Sequence, residues 1–526
     1  MIETIIPYLG IVLVILLLVT LAQKIKIAYP VILVVGGLLI SLLPGLPQIK
    51  INPELIFIVF LPPLLYDAAW ETSWKDLWRW KRVITSFAFL VVLATSLVVA
   101  LVSNMVIPGF TLALGFLLGG IVSPPDAVSA SSILKTVKVP KRISSVIEGE
   151  SLLNDASSLI VFRFALLAVN TGTFIFHEAA IDFVLVIGMG ILIGVLVGFV
   201  FYYIHKWLPT DSNVDVILML LAPYVMYMAA ESFHFSGVLA VVSGGLFLSA
   251  RSHLFLSHRS RLRGSNVWSA FSFFLNGLVF TLIGLELPEI VGGLGGVSLK
   301  AAIGYGALIT GVLVFTRIVF FLGTSAFTTF ISRFIKVEDD RPGWRGPLIA
   351  GWAGMRGVVS LAAALSIPLF LADGKLFPER NLILFITFTV ILLTLVVQGL
   401  TLPFLIRWVD MKDPDHYISD KDQADEIRRK LAETSLAYLA DHHAERLGEN
   451  TSLQELKTRL ETDLNLNDEE TGVHHEEFRK IYLDMLDDQR LTLLEMNKKP
   501  ETDEAVVRKY QGLLDIEEEK IRLKYD

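Results

Sequence analysis

The chain has 526 residues, of which 53% are hydrophobic, and a mean hydropathy of +0.61, which is too apolar for a soluble protein of this length. It contains no cysteine, which excludes disulfides and thiolate metal sites. The net charge of -7 combines two unlike parts. From Met411 onward, 18 basic against 30 acidic residues give −12 and leave +5 for the rest. We therefore predict a membrane domain at 1–410 and an acidic, soluble domain at 411–526.

Apolar stretches of about twenty residues predict thirteen membrane-spanning helices. They lie near residues 5–22, 28–46, 53–70, 83–107, 111–133, 144–170, 178–204, 213–231, 236–250, 267–286, 298–332, 347–371 and 381–408. The first stretch lacks a basic start and a small-residue cleavage site, so we interpret it as a retained span and not as a signal peptide.

The distribution of basic residues between loops predicts the orientation. Loops after odd-numbered spans contain Lys24, Lys26, Lys75, Arg79, Lys81, Arg82, Lys135, Lys138, Lys141, Arg142, Lys206, Arg251, Arg259, Arg261, Arg263, Arg333, Lys336, Arg341 and Arg345. Loops after even-numbered spans contain only Lys50, Lys300, Lys375 and Arg380. Because basic loops stay in the cytoplasm, we predict a multi-pass protein of the plasma (inner) membrane with its amino terminus outside and its tail cytoplasmic.

Two spans contain helix-breaking residues at mid-membrane depth. The fifth carries Pro124, Pro125 and Asp126, and the twelfth carries Arg356 within a glycine-rich segment, 351–357. Irregular backbone persists in lipid only when it is buried in protein or lines a cavity. Interrupted helices at corresponding places in two halves of a chain are typical of transporters built from inverted repeats. We predict two broken helices that cross; two unrelated kinks are the alternative.

The sixth span contains an unusual density of polar residues for its depth. An ionisable side chain there costs about 2.5–3.5 kcal/mol and implies a function. Helical spacing places Glu150 and Asn154 on one face and Ser151 and Asp155 on one face. A helix start accounts for the early Glu148 but does not extend to Asp155, which lies about three turns further on.

The buried charges limit the mechanism. An arginine stays charged and is best stabilised by a bidentate carboxylate, so we predict that Glu150 and Arg356 form a structural ion pair. Asp155 is then left without a permanent counter-charge, and burial disfavours its ionised form unless a cation is bound. It would hold a proton or a cation, but never both. Oxygens of Ser151, Asp155 and the broken backbone at Pro125 suit a hard monovalent cation.

Several motifs, in order over about residues 5–408, together resemble the monovalent cation/proton antiporters, the family that includes bacterial and eukaryotic sodium/proton exchangers. These motifs are Leu61-Pro62-Pro63 with Tyr66-Asp67-Ala68, the Pro125-Asp126 break, Gly149-Glu150-Ser151-Leu152-Leu153-Asn154-Asp155 and Gly354-Met355-Arg356-Gly357.

The resemblance implies an all-α polytopic fold and electroneutral Na+/H+ exchange by alternating access, since an Asn-Asp pair is typical of electroneutral members. Asp155 would carry the ion and the proton, Asn154 would orient the site, and Ser151, Pro125, Asp126 and Asp67 would line it. A homodimer with a moving six-helix core is also implied. Many members have a threonine where this sequence has Pro125, so the choice among Na+, K+ and Li+ stays open.

The resemblance further implies a transporter and not an enzyme, whose partners are monovalent cations, protons and the lipid bilayer. We predict no cofactor and no metal other than the transported Na+. The tail is predicted to form about four helices in a regulatory domain with an unknown ligand, and its acidity argues against nucleic acid. Glu148, Arg163 and Arg317 are assigned no role; Arg317 is expected near a helix end or in a local pair.

Three alternatives stay open. A proton-coupled symporter for a small organic solute would use the same carboxylate but needs polar and aromatic groups around a larger cavity. An intramembrane aspartyl protease would match Tyr66-Asp67, but the second element that such a protease needs, Gly-x-Gly-Asp, is missing from the sequence. A channel would require a repeated filter of carbonyls or charges, which is not evident.

Overall fold

The computed structural model describes residues 2–25, 27–42, 53–134, 137, 139–172, 176–208, 210–294, 296–334, 343–411, 420–447, 450–465, 472–497 and 504–525, and helices joined by short connecting segments make up this part of the chain. It divides into two compact units, Met1–Pro414 and Asp415–Asp526. The division lies four residues beyond the predicted boundary at 410. The predicted loop residues Lys26, Lys50, Lys135, Lys138, Lys336 and Arg341 lie outside the described residues.

The first unit is a bundle of long and broken helices. Its first half comprises α1 (Ile2–Ile25), α2 (Tyr29–Ser41), α3 (Pro53–Glu71), α4 (Trp74–Arg79), α5 (Lys81–Ser86), α6 (Val92–Val106), α7 (Leu112–Val122), α8 (Ala127–Leu134), α9 (Lys141–Thr171) and α10 (Phe176–Trp207). Its second half comprises α11 (Ser212–Glu231), α12 (Gly237–Ser249), α13 (Ser252–Phe255), α14 (His258–Leu285), α15 (Leu287–Gly292), α16 (Leu299–Ile331), α17 (Arg345–Trp352), α18 (Val358–Leu365), α19 (Arg380–Leu393) and α20 (Gly399–Val409). Single π-helical turns, Phe87–Val91 and Thr394–Gln398, join α5 to α6 and α19 to α20.

Among the described residues, seven helical segments are long and apolar enough to cross a membrane: Lys81–Val106, Lys141–Thr171, Ile181–Trp207, Ser212–Glu231, His258–Gly292, Leu299–Ile331 and Arg380–Val409. Four shorter segments are also apolar, namely Leu9–Ile25, Tyr29–Ser41, Leu112–Val122 and Gly237–Ser249. The all-helical membrane fold is confirmed. Every predicted stretch overlaps one of the helices named above, but how many of them cross the membrane stays a prediction.

Both predicted breaks are present, and they meet. α7 ends at Val122 before the two prolines, and α17 ends at Trp352 before the glycine-rich segment. Between them the backbone amide of Asp126 donates a hydrogen bond of 2.7 Å to the carbonyl of Met355. Pro124 and Pro125 have no amide hydrogen, so Asp126 is the first residue after them that can donate a main-chain hydrogen bond. Its bond to Met355 links the first break to the second.

Two hydrophobic clusters build the first unit, and α9 belongs to both. The large cluster joins α2, α6, α7, α16 and α19 through buried side chains such as Leu33, Val99, Leu117, Ile309 and Ile386. The small cluster joins α3, α11 and α12 through buried side chains such as Leu61, Ala222 and Val241. Leu153 and Leu159 on α9 pack against both clusters. A seam between the clusters therefore runs along α9, on either side of Asp155.

The second unit contains α21 (Asp420–Leu447), α22 (Thr451–Asn465), α23 (Gly472–Asn497) and α24 (Glu504–Tyr525). α21 packs on α22, and α23 packs on α24. Arg490 on α23 reaches two acids of α24, Asp515 at 2.8 Å and Glu518 at 2.5 Å. The cytoplasmic location and the regulatory role of this unit stay predictions.

Candidate functional site

Helix α9 carries the three acids Glu148, Glu150 and Asp155 within the first unit. It runs for 31 residues, starts after Pro140 and ends at Gly172, whose φ of 71° terminates the helix in the left-handed region. Asp155 lies half-way along it and is 7% exposed, while Asn154 is completely buried. The sequence prediction that these groups lie deep in the protein is consistent with this burial.

The first break lies directly against α9. The hydroxyl of Ser151 donates to the carbonyl oxygen of Pro125 at 3.2 Å. Asp126 follows and caps α8, because its carboxylate accepts hydrogen bonds from the amide of Val128 at 3.1 Å and the hydroxyl of Ser129 at 2.5 Å. Asp126 is close enough to Asp155 for their charges to interact. The structure thus brings Ser151, Pro125, Asp126 and Asp155 into one neighbourhood.

Asp155 differs from the acids around it in having no partner for its charge. In the part of the chain that the structure describes, no donor and no basic side chain contacts its carboxylate; only its main-chain carbonyl accepts a side-chain bond, from Ser158 at 2.9 Å. A buried carboxylate without a donor or a cation is costly to ionise. This is the arrangement expected of a group that binds a proton or a cation in turn.

Arg356 in the second break does not pair with Glu150, and that prediction was wrong. Its guanidinium donates from Nε to the carbonyl of Val122 at 2.8 Å, from Nη2 to that of Ser123 at 3.4 Å, and from Nη1 to that of Gly354. These carbonyls include the carboxyl end of α7, where the helix dipole is negative and attracts a cation. Arg356 therefore stabilises the first break from the second one.

The partner of Glu150 is Arg317 in α16. Two parallel hydrogen bonds join them, from Nη1 to Oε1 at 2.8 Å and from Nη2 to Oε2 at 2.7 Å. The side chain of Glu150 is 0% exposed and that of Arg317 is 2% exposed. The guanidinium also lies over the ring of Phe321, with its carbon 4.7 Å from the ring centre. Such a bidentate, buried pair is a permanent structural link between α9 and α16.

Sequence reasoning missed Arg317 although a signal was available. We expected it near a helix end or in a local pair, yet it occupies the middle of α16, which has 33 residues, and its partner is 167 residues away. An arginine at that depth needs a partner for its charge, and the sequence offered Glu150. Gly354 shows how closely the second break approaches it, because a Cβ at Gly354 would lie 2.5 Å from Cδ of Arg317 and 3.1 Å from Nη1 of Arg356.

Two further residues predicted to belong to the site are Asp67 and Asn154. Asp67 is half-buried in α3, a helix that contacts α9 and α18, and its place in a cation site stays a prediction. Neither amide atom of Asn154 has a hydrogen-bond partner in the described part of the chain. Asn154 therefore does not orient Asp155 through a hydrogen bond in this conformation. Glu148 accepts a bond of 3.1 Å from Ser131 on α8.

Comparison with known proteins gives a consistent result. The family model described as sodium/hydrogen exchanger, transmembrane, matches residues 11–408. The chain is 36% identical over 388 residues to the sodium, potassium, lithium and rubidium/H(+) antiporter of Bacillus subtilis, covering 72% of this chain and 58% of that one. It is 34% identical over 425 residues to the antiporter of the same name from Bacillus pumilus, covering 79% and 62%. The match thus spans about three-fifths of the length of these two relatives.

A cyanobacterial relative and a solved structure extend the comparison. The low-affinity Na(+)/H(+) antiporter NhaS1 of Synechocystis is 32% identical over 393 residues, which covers 73% of this chain and 70% of that protein. The structure of the sodium proton antiporter MjNhaP1 from Methanocaldococcus jannaschii matches with a TM-score of 0.62 at 19% identity, covering 78% of this chain and 100% of that one. At this identity the structural match shows the fold. The chain belongs to the sodium/hydrogen exchanger family of monovalent cation/proton antiporters.

Proposed function

We propose that this protein exchanges one monovalent cation, Na+ in the first instance, for one proton by competition at Asp155. The observation that carries the proposal is the buried carboxylate of Asp155, which has no partner among the described residues and lies near oxygen atoms of Ser151, Pro125 and Asp126. Hard monovalent cations prefer such oxygen ligands. Family membership supports the reaction class, and the relatives named above are described as antiporters.

The roles of the two neighbouring aspartates differ. Asp126 holds the start of α8 through Val128 and Ser129, so its carboxylate is committed to the helix cap. Asp155 has no such commitment and is the group that exchanges its ligand. Because one carboxylate binds either one cation or one proton, each cycle moves a single positive charge in each direction, and the exchange is electroneutral.

Alternating access would use the seam between the two hydrophobic clusters. Asp155 lies on α9 where Leu153 and Leu159 contact both clusters. Sliding of one cluster on the other would open the seam first on one side of Asp155 and then on the other. The permanent links of α9 to α16 and to the first break, through Glu150 and Ser151, would keep the site intact during this movement.

The proposed exchange could serve a broad range of monovalent cations or Na+ alone. The Bacillus relatives are named for sodium, potassium, lithium and rubidium, which favours a broad range, whereas the Synechocystis relative is named for sodium alone. Pro125 offers the site a main-chain carbonyl without a side-chain hydroxyl. K+ transport alongside Na+ transport is therefore the second candidate, supported by the names of the Bacillus relatives.

The test is cation-dependent dequenching of acridine orange in everted vesicles, with Na+, K+, Li+ and Rb+ added in turn. Asp155→Asn is expected to abolish dequenching for every cation while the protein stays folded and inserted. Asp373→Asn, which alters an exposed loop acid, is the matched control and should keep full activity. Full exchange by Asp155→Asn, or a rate that follows an imposed membrane potential, would refute the mechanism.

We also propose a homodimer in the plasma membrane with a cytoplasmic tail, as the family resemblance and the loop charges imply. The same vesicle assay on a chain that ends at residue 414 would show whether the second unit regulates exchange. A changed pH dependence with an unchanged maximal rate is expected of a regulatory domain. Complete loss of inserted protein would instead assign the tail a role in assembly.

A further inference from the structure

One ion pair of the first unit crosses the seam described above. Arg163 on α9 pairs with Glu231 at the end of α11. Eight residues separate Arg163 from Asp155, which corresponds to about 12 Å along the helix. The pair therefore lies beyond the candidate site, towards the end of α9, and joins the helix that carries Asp155 to a helix of the small cluster.

Arg163 holds the whole turn between α11 and α12. One carboxylate oxygen of Glu231 binds Arg163, while the other accepts a hydrogen bond of 3.1 Å from the amide of Gly237 at the start of α12. Arg163 also donates to the carbonyl of His234 at 3.5 Å. Since the carboxylate contacts Arg163 on α9 and the start of α12, a movement of α9 relative to α11 and α12 would break its bond to Arg163.

A cavity of about 180 Å³ lies against the pair, and Arg163 and Glu231 form part of its wall. It is lined by Leu159 and Phe162 on α9, Tyr227 on α11, Ser236 before α12 and Ser366 after α18. Leu159 follows Asp155 by four residues, so the cavity wall includes the turn of α9 next to the one that carries the carboxylate. It is large enough for several water molecules.

We propose that Arg163 and Glu231 form a gate that closes the ion pathway between Asp155 and the membrane face at which α9 ends. This inference rests on the proposed function, because it assigns the cavity to one of the two access routes. The exposure of the pair fits a bond that opens in each cycle: the side chains are 43% and 29% exposed, compared with 2% and 0% for Arg317 and Glu150. A pair exposed to this extent is broken and re-formed more easily than a buried one.

The test uses the fact that the native chain contains no cysteine. Ser366→Cys introduces a single thiol into the cavity, and its reaction with a charged, membrane-impermeant thiol reagent is timed in vesicles of each orientation. Adding Arg163→Gln or Glu231→Gln should speed labelling about two- to fivefold from the face at which α9 ends, the size expected for a partly exposed pair. Labelling from the opposite face should not become faster.

Lys375→Gln, which breaks an exposed ion pair within a loop, is the matched control and should leave the labelling rate unchanged. Because the two gate variants remove opposite partners, either one decides the question if the other fails to insert. Wild-type labelling rates in the inserted variants would overturn the proposal. Labelling requires no transport, so a gate that opens as expected while Asp155→Asn still exchanges ions would refute the proposed function alone.

Discussion

Glu150 and Arg317 are 167 residues apart in the sequence and are joined by two parallel hydrogen bonds of 2.8 and 2.7 Å. Gly354, from the second break, packs directly against this arginine. The pair thus links α9, which carries the candidate site, to α16 and to the crossing of the two broken helices. We expect it to govern the stability of the first unit.

Glu150→Gln or Arg317→Met should each destabilise the folded protein by about 3–5 kcal/mol, because each leaves an unpaired charge in a dry environment. The double variant should lose less than the sum of the two, since no unpaired charge remains. Unfolding in detergent, followed by tryptophan fluorescence, measures the difference. Arg163→Gln, at the partly exposed pair, is the control and should cost less than about 1 kcal/mol. Additive losses in the double variant would contradict a direct pair.

Gly354→Ala should destabilise the protein by about 1–3 kcal/mol, because the new methyl group would lie 2.5 Å from Cδ of Arg317 and force the arginine off its carboxylate. Gly311→Ala is the matched control, because Gly311 lies on α16, the helix that carries Arg317, and has no atom within 4 Å of its Cβ position. It should be neutral or stabilising by about 0.5–1 kcal/mol. Melting temperatures of the two variants in detergent decide the matter; equal shifts would show that Gly354 has room for a side chain.

Ser151→Ala should raise the apparent KM for the cation about two- to tenfold, the effect of losing one hydrogen bond of roughly 0.5–1.5 kcal/mol at the site. The physical reason is that the hydroxyl binds the carbonyl of Pro125 and thereby positions the broken backbone against α9. Ser158→Ala is the control, because its hydroxyl bonds within its own helix, to the main-chain carbonyl of Asp155, and not to the broken backbone. Concentration series in the vesicle assay measure both; an unchanged KM for Ser151→Ala would remove this serine from the site.

The second unit should lose stability in acid. Arg522 and Arg490 hold the pKa of Glu518 below its ordinary value. A carboxylate with a lowered pKa stabilises the fold above its ordinary titration range, near pH 4.3, and this contribution disappears as the pH falls through the lowered value. The protection factors of α24 amides in the full-length protein, which correct hydrogen exchange for its intrinsic pH dependence, should therefore fall below about pH 4. Arg490→Ala should lower them already at neutral pH, whereas Lys457→Ala on α22 should not.

Much of the fold could be predicted from the sequence because its causes are local. A run of about twenty apolar residues forms a helix that crosses a bilayer whatever its neighbours are. Pro124 and Pro125 end α7 because they cannot donate a hydrogen bond, and the glycines before Arg356 end α17. Asp155 could also be identified from the sequence, because an acid three turns inside an apolar helix has no local structural explanation.

The tertiary structure alone decided which charges meet. The chain offered Glu150 two deep arginines, Arg317 and Arg356, and helical spacing does not distinguish between them. Which group each arginine binds depends on how α16 and the second break are rotated and shifted against α9. In the folded protein the carboxyl end of α7 takes the guanidinium of Arg356, so Glu150 binds Arg317. The sequence determined that a buried carboxylate needed an arginine, and the packing of distant helices determined which one.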